Sequence, residues 1–394
     1  MLKIKEINNQ ETWDNYISNN NGHPLQLWGW GEVKTQSISG ETNWEVKRIA
    51  AIDESSNAQI ILGAAQILFR KAPSPLGKLA YIPRGPVVAK TSPNFENIFS
   101  LFKQYAKEQG SFTLKIEPDW KEIPEQLNKL NFTQSSTNIF ISNTLALNTS
   151  DPKWYSLENK SNSISRLNQK NKAKPTTGTI TGTLDYIEAQ HKEIENNLLT
   201  LMSRSTRQNV RKAAKNVIID KVHFGEPKFQ IYFEQFYQIY SDTSARASFP
   251  IHNKDYYLNL AKQMGNYLDF WVAKNNEEEN EPQSVVSFLW NIKTKHCSFE
   301  LYGGMNEKGQ KLRANYPLKW NAIKDAIYSD TNFYDMNGLV SDGVSSFKLG
   351  FVGNDQSKST EWVGTIDFPI KKITRLAFDT FLPKIKNFIR KTNR

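Results

Sequence analysis

Segments with the hydrophobic spacing of strands and segments with that of helices follow one another along this chain, on both sides of one long polar stretch. This alternation constrains the fold most, because strands and helices that follow each other pack as layers of a mixed α/β domain. The first half predicts strands at 2–7, 44–52, 59–69, 79–88, 112–116 and 138–147, and helices at 11–18, 95–109 and 122–130. The second half predicts helices at 196–217, 229–244, 254–264 and 316–328, and strands at 217–224, 267–273, 284–292, 296–301 and 332–336.

Two domains are expected, because 394 residues exceed what one typical hydrophobic core organises. Residues 1–150 form the first predicted domain and residues 194–369 the second, and the fold class is α/β (α+β). Between them, residues 151–193 are rich in Asn, Ser, Lys and Thr, which predicts a flexible insertion or linker. A helix at 370–394 is expected to pack back on the first domain.

The formal net charge of +10 favours anionic partners such as nucleic acid, nucleotides or an acidic membrane face. Residues 371–394 alone carry eight Lys or Arg and one Asp. This tail predicts contact with tRNA or membrane, or else a plain docked helix. No apolar run approaches the ~20 residues that span a bilayer, and the amino terminus alternates like a strand instead of a signal peptide. We therefore expect a cytoplasmic protein.

The motifs of several enzyme classes are absent from the sequence. There is no GxxxxGK[ST], GxGxxG, HExxH or CxxC, which removes support for a P-loop, a dinucleotide site and a common zinc site. The five histidines lack the spacing of metal ligands, and the single cysteine, Cys297, is expected to be a buried thiol. The segment GGMNEKG (303–309) predicts either a phosphate-cradling loop or a turn. We expect no metal and no cofactor.

The segment 196–217 concentrates cations on one side of a predicted amphipathic helix. Its buried stripe is expected to consist of Leu199, Met202, Thr206, Val210, Ala213 and Val217, at three- and four-residue steps. The other side carries Arg204, Arg207, Arg211 and Lys215. Arginines at helical spacing can grip a diphosphate or a nucleic-acid backbone, and they are equally typical of a solvated helix face.

Eight short motifs are distributed from about residue 25 to residue 355. They are LQLWGWGEVK (25–34), YIPRGPV (81–87), KIEPDW (115–120), STRQNVRKAAK (205–215), FPIHNKDYY (249–257), LYGGM (301–305), RANYPLKW (313–320) and VSSFKLGF (344–351). Together they resemble the Fem family of peptidoglycan aminoacyltransferases. The resemblance implies two tandem acetyltransferase-like (GNAT-like) domains. Because no long heptad run is present, the chain resembles the short members of the family, which have no coiled-coil arm.

The resemblance also implies where the acceptor binds. In this family a lysine after the Trp-rich helix and an arginine of the basic helix hold a uridine diphosphate. These positions point to Lys34 and Arg211, with Arg207 as a second candidate. Cations that converge from two helices suit a diphosphate. Tyr256 and Tyr257 can stack on the uracil or hydrogen-bond the phosphates, or simply pack half-buried.

The implied reaction is attack of an amine on an activated ester, which needs a proton acceptor and stabilisation of an oxyanion. Lys311 or Arg313 is predicted to polarise the ester carbonyl, or else to bind the tRNA acceptor end. Asp119 or Glu117 is predicted to hold the incoming ammonium and assist its deprotonation, although Asp119 is also placed to cap a helix. The tRNA terminus itself is another route for the proton.

The predicted function is therefore transfer of an amino acid from aminoacyl-tRNA to the lysine side-chain amine of a peptidoglycan stem peptide, in synthesis of the interpeptide bridge. The predicted acceptor is uridine-diphosphate-MurNAc-pentapeptide or a lipid-linked precursor, and the enzyme is expected to be a monomer with peripheral contact to an anionic membrane. Two other functions are open: a non-catalytic RNA-binding or membrane-surface protein, and an acyltransferase of the same fold with another donor. Binding of the muropeptide favours the first function over both.

Overall fold

A computed structural model describes residues 2–35, 44–54, 60–72, 74, 76–135, 138–151, 183–247, 249–278, 284–340, 342–371 and 374–375. Most of the predicted linker, residues 152–182, lies outside the described residues. The same is true of residues 372–373 and 376–394, which make up most of the predicted carboxy-terminal helix.

Fifteen strands lie in the described part of the chain. They are β1 (Leu2–Glu6), β2 (Glu45–Asp53), β3 (Ile60–Lys71), β4 (Lys78–Pro83), β5 (Val87–Val88), β6 (Ser111–Glu117), β7 (Thr133–Gln134), β8 (Asn143–Asn148), β9 (Val217–Val222), β10 (Leu268–Asn275), β11 (Val285–Lys293), β12 (Cys297–Met305), β13 (Phe333–Gly338), β14 (Thr360–Glu361) and β15 (Ile366–Pro369).

Helices cover the faces of the sheets. The α-helices are α1 (Gln10–Asn19), α2 (Trp28–Thr35), α3 (Phe95–Glu108), α4 (Thr183–Leu201), α5 (Arg204–Ala213), α6 (Phe229–Ala247), α7 (Lys254–Met264), α8 (Glu307–Leu312), α9 (Asn315–Tyr328) and α10 (Asp342–Leu349). Helix α3 illustrates why they form: Phe95, Ile98, Phe99, Phe102 and Tyr105 recur at three- and four-residue steps and are all buried.

The strands form two mixed sheets with the same plan. The first has the order β1-β2-β3-β4-β6-β15-β7, with β5 paired to β3, and the second has the order β9-β10-β11-β12-β13-β8-β14. One pair in each sheet is parallel, β4 with β6 and β12 with β13, and the chain between them contains a helix because a parallel connection must cross over the sheet. The predicted mixed α/β architecture with two related units is confirmed.

Each half of the chain supplies a strand to the sheet of the other half. Strand β8 lies within the first predicted domain, but it pairs with β13 and β14 in the second sheet. Strand β15 comes near the end of the second predicted domain and pairs with β6 and β7 in the first sheet. The backbone hydrogen bonds of these two strands therefore tie the halves together.

The structure corrects the prediction of one helix over 196–217. Met202 and Ser203 interrupt it, because the Ser203 amide donates to the Gly350 carbonyl oxygen (2.9 Å) while the Ser203 hydroxyl accepts the Thr206 N–H (3.2 Å) as an N-cap. Helix α5 then ends at Ala213, and strand β9 begins at Val217. Five of the six residues of the predicted stripe are buried: Met202, Thr206, Val210, Ala213 and Val217.

Other segments also differ from the prediction. Residues 183–193, assigned to the flexible linker, belong to helix α4. The predicted turn at Gly303 and Gly304 is an extended part of β12, where these glycines pair with Leu289 and Phe288 of β11. The predicted helix at 122–130 is the shorter 3-10 turn Glu125–Lys129. No helix among the described residues is long and apolar enough to cross a membrane.

Helices α2 and α7 meet at a position that only glycine fits. A Cβ atom on Gly29 would lie 2.2 Å from the Gln263 carbonyl oxygen, so a larger residue would push the two helices apart. This contact joins the two halves, and one hydrophobic cluster runs across it from Trp13 and Trp30 to Phe236 and Trp290.

We predict that Gly29→Ala lowers the free energy of unfolding by about 1–3 kcal/mol, because overpacking forces the helix backbones to shift. Denaturant unfolding measures this change. Gly343→Ala is the matched control: a Cβ atom there meets no atom within 4 Å, so its stability should stay within about 1 kcal/mol of wild type. Equal effects of the two substitutions would contradict the packing argument.

Candidate active site

Lys34 and Tyr256 meet where α2 packs on α7. Lys34 lies in the last turn of α2, and its Nζ atom donates to the Tyr256 hydroxyl (3.0 Å) and lies 4.3 Å from the centre of the Trp30 ring. The ring of His252 stacks on Tyr256 with centres 3.8 Å apart. Asn253 caps α7 by accepting the Tyr256 N–H, which sets the position of this tyrosine. The Tyr256 hydroxyl and the Trp30 ring thus fix the position of the Lys34 ammonium, whose charge suits an anion.

Tyr257, the neighbouring candidate, is part of the core. Its side chain is 1% exposed, and its hydroxyl oxygen accepts the backbone N–H of His252 (3.1 Å). Its ring packs edge-on against those of Phe236 and Tyr302. The paired tyrosines therefore have different surroundings: Tyr256 contacts Lys34, and Tyr257 supports the helix that carries both.

The two arginine candidates of α5 lie apart from Lys34. The Arg207 Nη1 atom donates to the carbonyl oxygens of Leu199 (3.0 Å) and Thr200 (3.2 Å), and so caps the carboxyl end of α4. Arg211 is exposed on the same helix. Within the described residues, no hydrogen bond or ion pair joins either arginine to the Lys34 site.

A cavity of about 750 Å³ opens where the parallel strands of the second sheet separate. Pairing of β12 with β13 ends at Phe299 and Asp335, and residues beyond that point line the cavity. The side-chain amide of Asn337 spans the space between the two strands and donates to the Glu300 backbone carbonyl oxygen (3.1 Å). The carboxyl ends of parallel strands at such an opening are a common place for ligands to bind.

An ion pair lies in the wall of this cavity. Lys319 of α9 donates to both carboxylate oxygens of Glu300, at 2.6 Å to Oε2, and the Tyr334 hydroxyl donates to Oε1 (2.7 Å). Burial and the neighbouring Glu300 carboxylate raise the pKa of Tyr334, so its hydroxyl stays protonated. Two partners thus hold the carboxylate in one orientation through three hydrogen bonds.

Lys348 is a second buried cation that faces the cavity. Its side chain is 8% exposed, and Nζ donates to the carbonyl oxygens of Gly338 (2.7 Å) and Asn337 (3.2 Å). Burial lowers the pKa of Lys348 to about 8, an effect that Glu300 partly opposes. An ammonium group has three N–H bonds, so one donor of Lys348 is left for a ligand after these two contacts.

The Lys34 site and the cavity are connected through Tyr302. This residue lines the cavity and hydrogen-bonds to Tyr256, which in turn accepts from Lys34. Arg246, near the end of α6, lines the same cavity and is exposed. Arg246 of α6 and Lys348 of α10 therefore line the cavity, and Lys34 of α2 is linked to its wall through Tyr256 and Tyr302.

The residues predicted for catalysis lie in other places. Lys311 and Arg313 line a smaller cavity of about 290 Å³, where the guanidinium of Arg313 donates to the Asn209 amide oxygen. Asp119 is paired with His296 (2.7 Å between Oδ2 and Nε2) in a third cavity. Lys311 and Arg313 thus lie together, whereas Asp119 lies in a different cavity.

Glu117, the alternative to Asp119, is committed to hydrogen bonds within the fold. Its carboxylate accepts the N–H groups of Ile139 and Phe140 (2.9 Å each) and the hydroxyls of Tyr81 (2.7 Å) and Thr365 (3.1 Å). These four donors occupy both oxygens, which leaves Glu117 poorly placed to take a proton from a substrate.

The sequence did not point to the four charged residues that line the large cavity: Arg246, Glu300, Lys319 and Lys348. Lys319 and Lys348 stand within the motifs RANYPLKW and VSSFKLGF, so the resemblance contained them. Their spacing gave no sign that both side chains are buried, because burial arises from the packing of α9 and α10 against the second sheet.

The sequence profile of the FemAB family matches residues 9–166, 176–281 and 272–381, most of the chain. A lipid II:glycine glycyltransferase of Staphylococcus aureus (strain MRSA252) is 37% identical over 119 residues, which cover 30% of this chain and 26% of that protein. A protein with the same name from Staphylococcus saprophyticus is 36% identical over 99 residues, which cover 25% of this chain and 22% of that protein. The matches thus span about a quarter of these relatives.

The fold is similar to that of FemX. The crystal structure of FemX superimposes with a TM-score of 0.71 at 17% sequence identity, over 96% of this chain and 100% of that one. At this identity the likeness concerns the fold, and it confirms the predicted arrangement of two α/β units.

We predict that Lys319→Met lowers the free energy of unfolding by about 3–5 kcal/mol, because the Glu300 carboxylate would stay buried without its cation. Thermal or denaturant unfolding measures the loss. Lys254→Met is the control, since its partner Glu234 and Lys254 itself are both exposed, and such surface pairs contribute about 1 kcal/mol or less. A loss no larger than that of the control would show that the buried pair is dispensable.

Proposed function

Because this chain belongs to the FemAB family, we propose that it transfers an amino acid from aminoacyl-tRNA to the lysine side-chain amine of a peptidoglycan stem peptide. The observation that carries the proposal is the series of hydrogen bonds that links Lys34 and Tyr256 to Tyr302, in the wall of a cavity that contains the buried ammonium of Lys348. The names of the relatives favour glycine as the amino acid and a lipid-linked acceptor. A cytoplasmic enzyme that meets its acceptor at the membrane face fits this activity.

The diphosphate of the acceptor is proposed to bind at Lys34 and Tyr256. A lysine and a phenol offer donors to phosphate oxygens, and the stacked pair of His252 and Tyr256 offers a flat surface for a base. Arg246 supplies the second cation, because it lines the cavity next to this site whereas Arg211 does not. The stem peptide then extends into the cavity towards Lys348.

Lys348 is proposed to stabilise the oxyanion of the tetrahedral intermediate. The acceptor amine attacks the ester carbonyl carbon, the C–O bond to the tRNA ribose breaks, and the amine proton leaves with the ribose oxygen. The negative charge that develops on the carbonyl oxygen requires a fixed donor. Two carbonyls hold the Lys348 ammonium in place, so its remaining N–H can meet that charge with little reorganisation.

The exposed cations of α5 and α8 are proposed to contact the tRNA backbone. Arg211 and Lys212 project from α5, and Lys311 and Arg313 are exposed at the end of α8 beside them. Phosphate contacts need only exposed positive charge, and they position a nucleic acid without reading its sequence. This role replaces the carbonyl-polarising role predicted for Lys311 and Arg313.

The proposal predicts transfer of radiolabelled glycine from charged tRNA to lipid-linked precursor or to uridine-diphosphate-MurNAc-pentapeptide. Lys34→Ala should raise the KM for the acceptor by about tenfold or more, because a charge-assisted phosphate contact is lost. Lys71→Ala, an exposed lysine outside the cavity, should behave as wild type. Free glycine without tRNA should give no product. If no amino acid of a total aminoacyl-tRNA pool reaches either acceptor, the proposal is wrong.

We predict that Lys348→Ala lowers kcat by about 10²–10³, the typical effect of removing an oxyanion donor. In wild type, kcat should fall as the pH rises through about 8, where Lys348 loses its proton and with it the charged donor. In Lys348→Arg this decline should disappear, because arginine keeps its charge across that range. The measurement is kcat against pH, with unfolding curves to verify the fold. A wild-type rate that keeps rising beyond pH 9 would refute the role.

A further inference from the structure

A cavity of about 560 Å³ lies beside the first sheet, at the carboxyl ends of its parallel strands. Arg84 follows β4, Asp119 follows β6, and His296 reaches the same space from the second half of the chain. Lys90 and the exposed residues 19–21 stand at its edge. None of its described lining residues lines the cavity proposed for transfer.

Arg84 is the unusual residue of this cavity. Its side chain is 2% exposed, yet among the described residues its Nε and Nη2 atoms have no hydrogen-bond partner. Its backbone is in the left-handed region, at φ 47°, which non-glycine residues seldom adopt. Buried polar atoms are rarely left without a partner, and backbone strain concentrates at functional sites.

The two unpartnered atoms form one edge of the guanidinium group. The N–H bonds of Nε and Nη2 point in the same direction, at the spacing of the two oxygens of a carboxylate or a phosphate. The guanidinium carbon lies 5.0 Å from the centre of the Phe140 ring, so a cation–π contact also holds the group. The edge without a partner is therefore itself buried, and its two parallel N–H bonds match a bidentate oxyanion.

Asp119 and Asp335 both act electrostatically on Arg84, but neither fills this edge. Asp119 makes its short contact with His296, at 2.7 Å, and no ion pair within 4.0 Å joins Asp119 to Arg84. Burial alone would raise the pKa of Asp119, but His296, His23 and Arg84 together hold that pKa below its usual range. The carboxylate is thus charged and engaged elsewhere. At the rim, the Lys90 Nζ atom lies 5.4 Å from the Trp120 ring centre and adds positive charge at the entrance.

We propose that this cavity binds a small oxyanion, a carboxylate or a phosphate, through the Nε and Nη2 edge of Arg84, with Lys90 as a second cation at the rim. The ligand would contact Arg84 of the first half within reach of His296 of the second half. Its binding therefore stabilises the folded chain, because any ligand that binds the native state raises the unfolding midpoint by mass action. The site is independent of the proposed transfer activity.

The test is thermal unfolding and calorimetric titration of the full chain with inorganic phosphate and with acetate, against chloride at equal ionic strength. Tighter binding of phosphate indicates a phosphate ligand, and tighter binding of acetate indicates a carboxylate ligand. Arg84→Lys keeps the charge but removes the bidentate edge, and should weaken binding about tenfold or more. Lys90→Glu should weaken it in the same direction. Lys71→Glu makes the same change of charge outside the cavity and should leave binding unchanged.

Saturable binding that follows this pattern supports the site. If Arg84→Lys fails to fold, weaker binding by Lys90→Glu than by Lys71→Glu supports the site, and equal binding by these two variants overturns it. Binding of neither anion above the chloride reference overturns the proposal. It is also overturned if binding persists in Arg84→Lys and is lost in Lys34→Ala, because the anion would then occupy the site proposed for the acceptor diphosphate. Absence of aminoacyl transfer has no bearing on the result.

Discussion

The exchange of strands β8 and β15 is the constraint on which the arrangement of this protein depends. Each sheet is completed by backbone hydrogen bonds from the opposite half of the chain, so neither half has all of its strands alone. The same exchange fixes α2 of the first half against α7 of the second, where Gly29 allows close contact. Lys34 of the first half is thereby linked to the large cavity of the second half through hydrogen bonds of Tyr256 and Tyr302.

The chemical properties of the large cavity depend on two lysine side chains that are buried where β12 and β13 separate. Two lysines are held there by partners that the fold supplies, Lys319 by a carboxylate and Lys348 by two backbone carbonyls. Lys319 is neutralised within its ion pair, whereas Lys348 keeps a donor free. Burial lowers the pKa of Lys348 to about 8. Because it keeps a free donor, we propose that Lys348, and not Lys319, stabilises the negative charge that develops on the carbonyl oxygen during transfer.

The sequence predicted best what depends on local hydrophobic spacing. The ends of Phe95–Glu108 and Lys254–Met264 were placed within one residue, because a strong helical period marks each of them. The break at Ser203 was missed, since the capping geometry there depends on a carbonyl from Gly350, far along the chain. The burial of Lys348 was missed for the same reason: a lysine in a helical motif is ordinarily exposed, and tertiary packing alone reverses this.

We propose that aminoacyl transfer takes place in the cavity between β12 and β13. Gly343 lines it, is exposed, and has open space around its Cβ position, so Gly343→Trp should obstruct the cavity while leaving the fold and the Lys34 site intact. The most direct test is single-turnover transfer by this variant, with muropeptide binding measured in parallel. We expect transfer to fall by about 100-fold or more, as when reacting groups are held apart, with acceptor affinity unchanged. Transfer at the wild-type rate would contradict the account.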